Sequence, residues 1–208
     1  MDKNILLPYI PEHSIDAICR ILTPFRLKLK IVKPRKHIHG SYKRPKYSID
    51  YHVISINRDL NPYSFLITLL HEIAHMQAWE KSKSIGHGEE WKICFMFLIK
   101  QFLSLDVFPK DIRYALKNHI QNIKSSDYLD ILLSKALQKY DAKQVISDDL
   151  ICLEDVPNDT VFFYENKRMK KQSLLRKYYL CKDLKTNKGY RCHPLMKVSL
   201  VEIKNNTK

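Results

Sequence analysis

The sequence predicts an α+β fold: a small sheet plus helices, with a His-Glu-x-x-His pentapeptide on a buried helix, followed by a small β-rich C-terminal domain. Three features lead there. Short period-two stretches precede residue 57, apolar segments of helical period fill residues 61 to 140, and β-type segments separated by turn residues return after Tyr140. The boundary is expected near residue 143, giving domains 1–142 and 143–208.

A short helix is expected from Glu12 to Leu22. Phe25 to Lys33 alternates apolar and basic residues as a half-buried strand does, and Ile38 to Tyr42 and Tyr51 to Asn57 read as two further strands. Asn61-Pro62 opens a long helix with a capping side chain and a proline at the first helical position, where no N–H is needed. That helix is expected to run to about Glu80. Phe65, Leu66, Leu69, Leu70, Ile73 and Ala74 make much of its circumference apolar. A polar loop (Lys81 to Gly88), an apolar helix (Glu89 to Ser104) and amphipathic helices at Lys110–Ile123 and Ser126–Tyr140 follow. Strands are expected at Val161–Tyr164, Leu175–Lys182, Gly189–His193 and Val198–Ile203, with turns at Glu165-Asn166-Lys167 and Thr186 to Gly189.

Composition narrows the function classes. With 4 glycines and 11% aromatic residues, the chain is neither collagen-like nor wholly disordered. It holds no apolar run of the roughly 18 to 20 residues that span a bilayer, so a soluble protein is expected. Five cysteines at scattered spacings fit a reducing compartment better than a disulfide framework, which makes the cytoplasm the expected location, with the nucleoid open to it if DNA is bound. The 36 Lys and Arg against 22 Asp and Glu leave a net charge of +14, which favours polyanionic partners. Two basic regions concentrate it. One holds Arg20, Arg26, Lys28, Lys30, Lys33, Arg35, Lys36, Lys43, Arg44 and Lys46, and the other runs from Lys167 to Lys197. Tyrosines interleave with the cations at Tyr42 to Tyr47 and at Arg176-Lys177-Tyr178-Tyr179, a pattern suited to non-specific binding of DNA, single strands included.

The chemistry centres on His71-Glu72-Ile73-Ala74-His75. Histidines four apart on a helix share one face, so both imidazoles can reach one zinc ion. Glu72 is rotated by about 100° from His71, which suits a general base better than a ligand. A third ligand is required, and His87, between Gly86 and Gly88, is the leading candidate. Glu80, Glu89 and Glu90 are the alternatives. Asp106 or Glu90 would orient the histidines from behind. Tyr42, Tyr47, Tyr51, His52 and Arg58 are the chemically competent oxyanion stabilisers, and the sequence does not choose among them.

With these residues in place, the chain resembles the SprT-like family of zinc metalloproteases. The resemblance rests on His71, Glu72 and His75, on Gly86-His87-Gly88 with Trp91, and on the lead-in from Ile54 to Leu70, and it covers about residues 10 to 140. It implies a minimal zincin-like core, one Zn2+ on His71, His75 and His87, and peptide-bond hydrolysis through a water activated by Glu72 and the zinc. It also implies DNA-associated protein substrates, because the eukaryotic Spartan proteases of this kind degrade proteins crosslinked to DNA. The chain looks like a bacterial member. It departs from the family pattern in lacking paired Cys-x-x-Cys motifs, so Cys152, Cys181, Cys192 and His193 are expected in the C-terminal core, without a second zinc. Two competing expectations remain: a nucleic-acid-associated, transcription-related zinc-binding factor with little or no proteolytic activity, and a zinc hydrolase acting on another bond. The loop Lys81 to Gly88, or bound DNA, is expected to gate access to the metal.

Overall fold

A computed structural model describes residues 3–35, 38–47, 50–121, 123, 130–141 and 150–200. The chain divides into two compact units, Met1–Ala142 and Lys143–Lys208. It is a mixed α+β protein with a three-stranded sheet and helices in the first unit and an antiparallel sheet in the second. Among the described residues, no helix is long and apolar enough to cross a membrane.

In the first unit, a 3-10 turn at Glu12–Ser14 leads into α1 (Ile15–Leu22), so the expected helix starts in a tighter geometry. Strands β1 (Leu27–Val32), β2 (Gly40–Lys43) and β3 (His52–Asn57) form a sheet in the order β1-β3-β2. β3 is central, parallel to β1 and antiparallel to β2. Its His52, Ile54 and Ile56 are buried on one face, while Lys28 and Lys30 of β1 face outward. Arg35 ties the sheet together, donating to Asn57 Oδ1 at 2.9 Å, Ser41 Oγ at 3.1 Å and Ser55 Oγ at 3.2 Å. One cation of the first basic region is therefore structural.

Helix α2 (Pro62–Ser82) packs on this sheet. Asn61 Oδ1 accepts from the backbone N–H of Tyr63 and Ser64 at 3.1 and 2.9 Å, which satisfies two of the helix's unpaired first-turn donors. Its buried residues include Phe65 through Leu70, Ile73, Ala74, Met76 and Ala78, so the helix runs through the core. Next come α3 (Glu89–Ser104), α4 (Lys110–His119) and α5 (Ile131–Gln138). α4 ends short of the expected Ile123, in a turn where the Gln121 N–H bonds the Asn118 carbonyl at 3.2 Å. α5 starts later than the expected Ser126. Asp130 is extended there and its side chain accepts from the Leu133 N–H at 3.3 Å, capping the helix. Ser126 itself lies outside the described residues.

The second unit holds β4 (Leu150–Cys152), β5 (Val161–Tyr164), β6 (Lys167–Leu174), β7 (Tyr179–Asp183), β8 (Gly189–Cys192) and β9 (Lys197–Ser199), in sheet order β4-β9-β5-β6-β7-β8. The strand expected to begin at Leu175 begins at Tyr179. Leu174 pairs with Tyr179, and the Leu175 N–H closes the turn onto the Tyr178 carbonyl at 2.7 Å. β9 covers the start of the strand expected to reach Ile203; residues 201–208 lie outside the described ones. Leu153, Val156, Phe162, Met169, Cys181, Cys192 and Val198 form the core. Cys181 and Cys192 lie on the neighbouring strands β7 and β8, and the Cys181 thiol is pushed up by its neighbour Cys192 and by burial. Lys171 is only 2% exposed, its ammonium donating to the carbonyls of Leu153, Glu154 and Val156 and lying 3.7 Å from the centre of the Tyr179 ring. This cation of the second basic region is a core residue.

Candidate metal centre

Two elements supply the centre. α2 carries His71, Glu72 and His75 on consecutive turns, and the link to α3 carries His87. α2 stops at Lys83, which takes the left-handed conformation (φ 54°) while its N–H bonds the Trp79 carbonyl at 2.8 Å. Gly86 is also left-handed (φ 76°), a conformation glycine adopts without steric cost, and Gly88 caps α3 in extended form. Within this short link the chain doubles back and aims His87 at the helix it has just left.

The three imidazoles converge through the same ring nitrogen. His87 Nε2 lies 3.1 Å from His71 Nε2 and 3.2 Å from His75 Nε2. Two nitrogens each about 2.05 Å from a tetrahedral zinc ion stand about 3.3 Å apart, so the observed spacing fits zinc ligation with little adjustment. His71, His75 and His87 together form a group able to hold one metal ion.

Burial favours the ligating, neutral form at His71 and His75, while His87 is the exposed member of the set. His71 is pressed down to about 3, first by burial and then by the neighbouring His75 and His87. His75 falls to about 4, by burial and then by His87, against a hydrogen bond to the Gly86 backbone that pulls it up, and burial lowers His87 as well. Neutral imidazole is the form that binds a metal, so near pH 7 no proton has to be displaced.

Trp91, fully buried on the first turn of α3, is the platform under the cluster. Its ring centre lies 4.8 Å from that of His71, 5.4 Å from His75 and 4.5 Å from His87, and its indole N–H donates to the His71 carbonyl at 3.3 Å. Phe95 stacks behind it at 5.1 Å. A further imidazole, which sequence reasoning did not single out, lies behind Phe95. This is His119 on α4, 1% exposed, with Nδ1 3.0 Å from Asp130 Oδ2, and its charge adds to the lowering of His71.

Glu72, one residue on from His71, is 5% exposed. β2 crosses directly over it at Gly40, where a Cβ would fall 2.7 Å from Glu72 Oε1 and 2.6 Å from Thr68 Cγ2. Only glycine lets the strand pass this close to the carboxylate. Gly40 was not foreseen, because nothing in the local sequence marks a residue whose neighbours lie thirty positions away.

The other candidates are engaged elsewhere. Glu80 faces His52 Nε2 at 3.4 Å and Lys83 at 3.8 Å, Glu89 faces Lys92 at 3.6 Å, and Glu90 bonds Lys81 at 2.7 Å, so none of them joins the histidine group. Asp106 pairs with Arg113, and with Glu90 held by Lys81 neither proposed orienting acid is seen on a histidine. Of the oxyanion candidates, Tyr47 is 71% exposed, Arg58 is exposed, and Tyr51 lies under Arg26 and Lys28 at 5.1 and 4.3 Å. Tyr42 and His52 are bonded to each other, the hydroxyl 2.9 Å from Nδ1, with the Tyr42 ring beside His75. Cys152 groups with Glu154 and Asp155, apart from Cys181 and Cys192. Compared with known protein families, curated proteins and solved structures, the chain matches none.

Proposed function

We propose that this chain is a zinc metalloendopeptidase with a minimal zincin-like core, of the SprT-like kind its motifs resemble. The observation that carries the reading is the convergence of three imidazole nitrogens, with His87 Nε2 3.1 Å from His71 Nε2 and 3.2 Å from His75 Nε2, and with the buried Glu72 one residue along the same helix. His71, His75 and His87 would hold the ion. Zinc bound there supplies the Lewis acidity that makes water acidic near neutral pH and polarises a carbonyl. Glu72 takes the proton from the attacking water on its carboxylate and delivers it to the nitrogen of the leaving amine, so one residue serves as base and then as acid. Burial among Thr68 and the β2 backbone holds that carboxylate in one place.

β2 favours a peptide over other substrates. Among the described strands it pairs on one side only, with β3, and it passes over Glu72 and beside His75. An extended peptide added along its outer edge would lie across both residues. A DNA-proximal role is supported by the net charge of +14 and by Arg26 and Lys28 around the Tyr51 ring.

The test compares wild type with Glu72→Gln on unfolded protein substrates, with ester and nucleotide substrates in parallel. Peptide hydrolysis that drops by roughly 100- to 10,000-fold in the variant, at unchanged zinc content, supports the proposal. Equal and negligible peptide hydrolysis in both would favour the zinc-binding factor. Turnover of an ester or nucleotide alone would favour the other hydrolase.

A further inference from the structure

β2 and the residue after it lie against α2 in a definite register. Gly40, Tyr42 and Arg44 point to one face of the strand and meet Glu72, His75 and Trp79 in turn. At the middle position the Tyr42 ring is parallel to that of His75, within 3°, at 6.3 Å between centres. This lies inside the range over which offset aromatic rings interact. His71 at 5.1 Å, His87 at 4.6 Å and Trp91 at 5.4 Å surround the His75 ring elsewhere. Tyr42 is the neighbour that β2 contributes.

Tyr42 is itself held from behind. Its hydroxyl lies 2.9 Å from His52 Nδ1, and His52 Nε2 lies 3.4 Å from Glu80 Oε1. His52 is 6% exposed, with Phe25 edge-on to its ring at 6.1 Å. A carboxylate accepts and does not donate, so we assign the ring hydrogen of His52 to Nε2, which leaves Nδ1 as an acceptor. The Tyr42 hydroxyl then donates to His52. Its hydrogen is committed there, which argues against Tyr42 as the oxyanion donor and leaves its ring as the part that acts on the centre.

Building on the zinc reading, we propose that Tyr42 is a positioning residue for the metal. The chain Glu80, His52, Tyr42 holds an aromatic plane against the His75 imidazole and so fixes the direction in which His75 Nε2 points. Residues that orient a metal ligand are expected to act through affinity and coordination geometry, with no direct contact to the ion.

The experiment measures zinc affinity by competition with a chromophoric chelator and records the visible spectrum of the cobalt(II)-substituted protein. Wild type is compared with Tyr42→Leu, Tyr42→Phe, His52→Gln and Lys43→Ala, with folding checked by circular dichroism. Tyr42→Leu is expected to weaken zinc binding by roughly 10- to 100-fold and to change the cobalt bands. Tyr42→Phe keeps the ring but loses its tie to His52, and should fall between Tyr42→Leu and wild type. Lys43 is exposed and belongs to the opposite face of β2, so Lys43→Ala should match wild type. A folded Tyr42→Leu protein with wild-type affinity and an unchanged cobalt spectrum overturns the positioning role and leaves the metal centre standing. Should Tyr42→Leu not fold, wild-type behaviour in both Tyr42→Phe and His52→Gln overturns it equally. A folded wild-type protein that takes up no zinc overturns both readings together.

Discussion

Gly40→Ala isolates the contact between β2 and the proposed catalytic base. The backbone at Gly40 is ordinary strand, so alanine meets no conformational strain there and the whole effect comes from one methyl group. That methyl would sit 2.6 Å from Thr68 Cγ2 and 2.7 Å from Glu72 Oε1. Carbon atoms settle at about 3.5 Å or more, so the first contact alone demands a displacement of about 1 Å, and the second pushes on the carboxylate. Overpacking of this size costs about 1–3 kcal/mol of stability. A displacement of about 1 Å in a reacting group lowers kcat on the order of 100-fold. The three atoms nearest the new methyl belong to Thr68 and Glu72 and none to a histidine, so zinc content should stay at the wild-type level. The assay is steady-state cleavage of a fluorogenic peptide, with zinc content and thermal unfolding on the same preparations. A Gly40→Ala protein that keeps kcat within about twofold of wild type would refute the argument that β2 holds Glu72 in its working position.

Two further outcomes follow from titratable groups packed inside the two units. In the metal-free protein, His71 and His75 are pressed from an ordinary value of 6.5 to about 3 and about 4, so as pH falls below 6.5 the unfolded chain takes up protons before the folded one does. Stability must then drop with falling pH, by up to about 1.4 kcal/mol per pH unit from His71; melting curves of chelator-treated protein from pH 7 to pH 5 should show the fall, and a flat profile would contradict it. Lys171→Met removes the donor to the Leu153, Glu154 and Val156 carbonyls and should destabilise the C-terminal unit by about 1–3 kcal/mol, seen as faster amide exchange along β4, β6 and β9.

The parts of the fold that were legible in the sequence are those with local causes. Asn61-Pro62 signals the start of α2 through capping chemistry, and β3 and α3 follow from unbroken apolar pattern. The histidine set is legible because helical spacing and the glycines flanking His87 are local too. β6 was not foreseen. Its second buried position is Lys171, which reads as one more cation in a basic run until three distant carbonyls are seen to accept from it. Arg35 misleads in the same way, since its partners on β2 and β3 are brought to it by the sheet. Around the centre, Gly40 and the link from Tyr42 through His52 to Glu80 depend on how β2 and β3 lie against α2. That register is set by packing between segments far apart in sequence, and no single stretch of residues records it.

Zinc content of the purified protein, wild type beside His87→Ala and with both shown to be folded, decides whether the three histidines hold a metal. A three-histidine centre gives about one zinc per wild-type chain and markedly less in His87→Ala, because the loop nitrogen 3.1 and 3.2 Å from its two partners is what completes the ligand set. A folded wild type that holds no zinc even after reconstitution, or a His87→Ala protein that holds it as tightly as wild type, would contradict it.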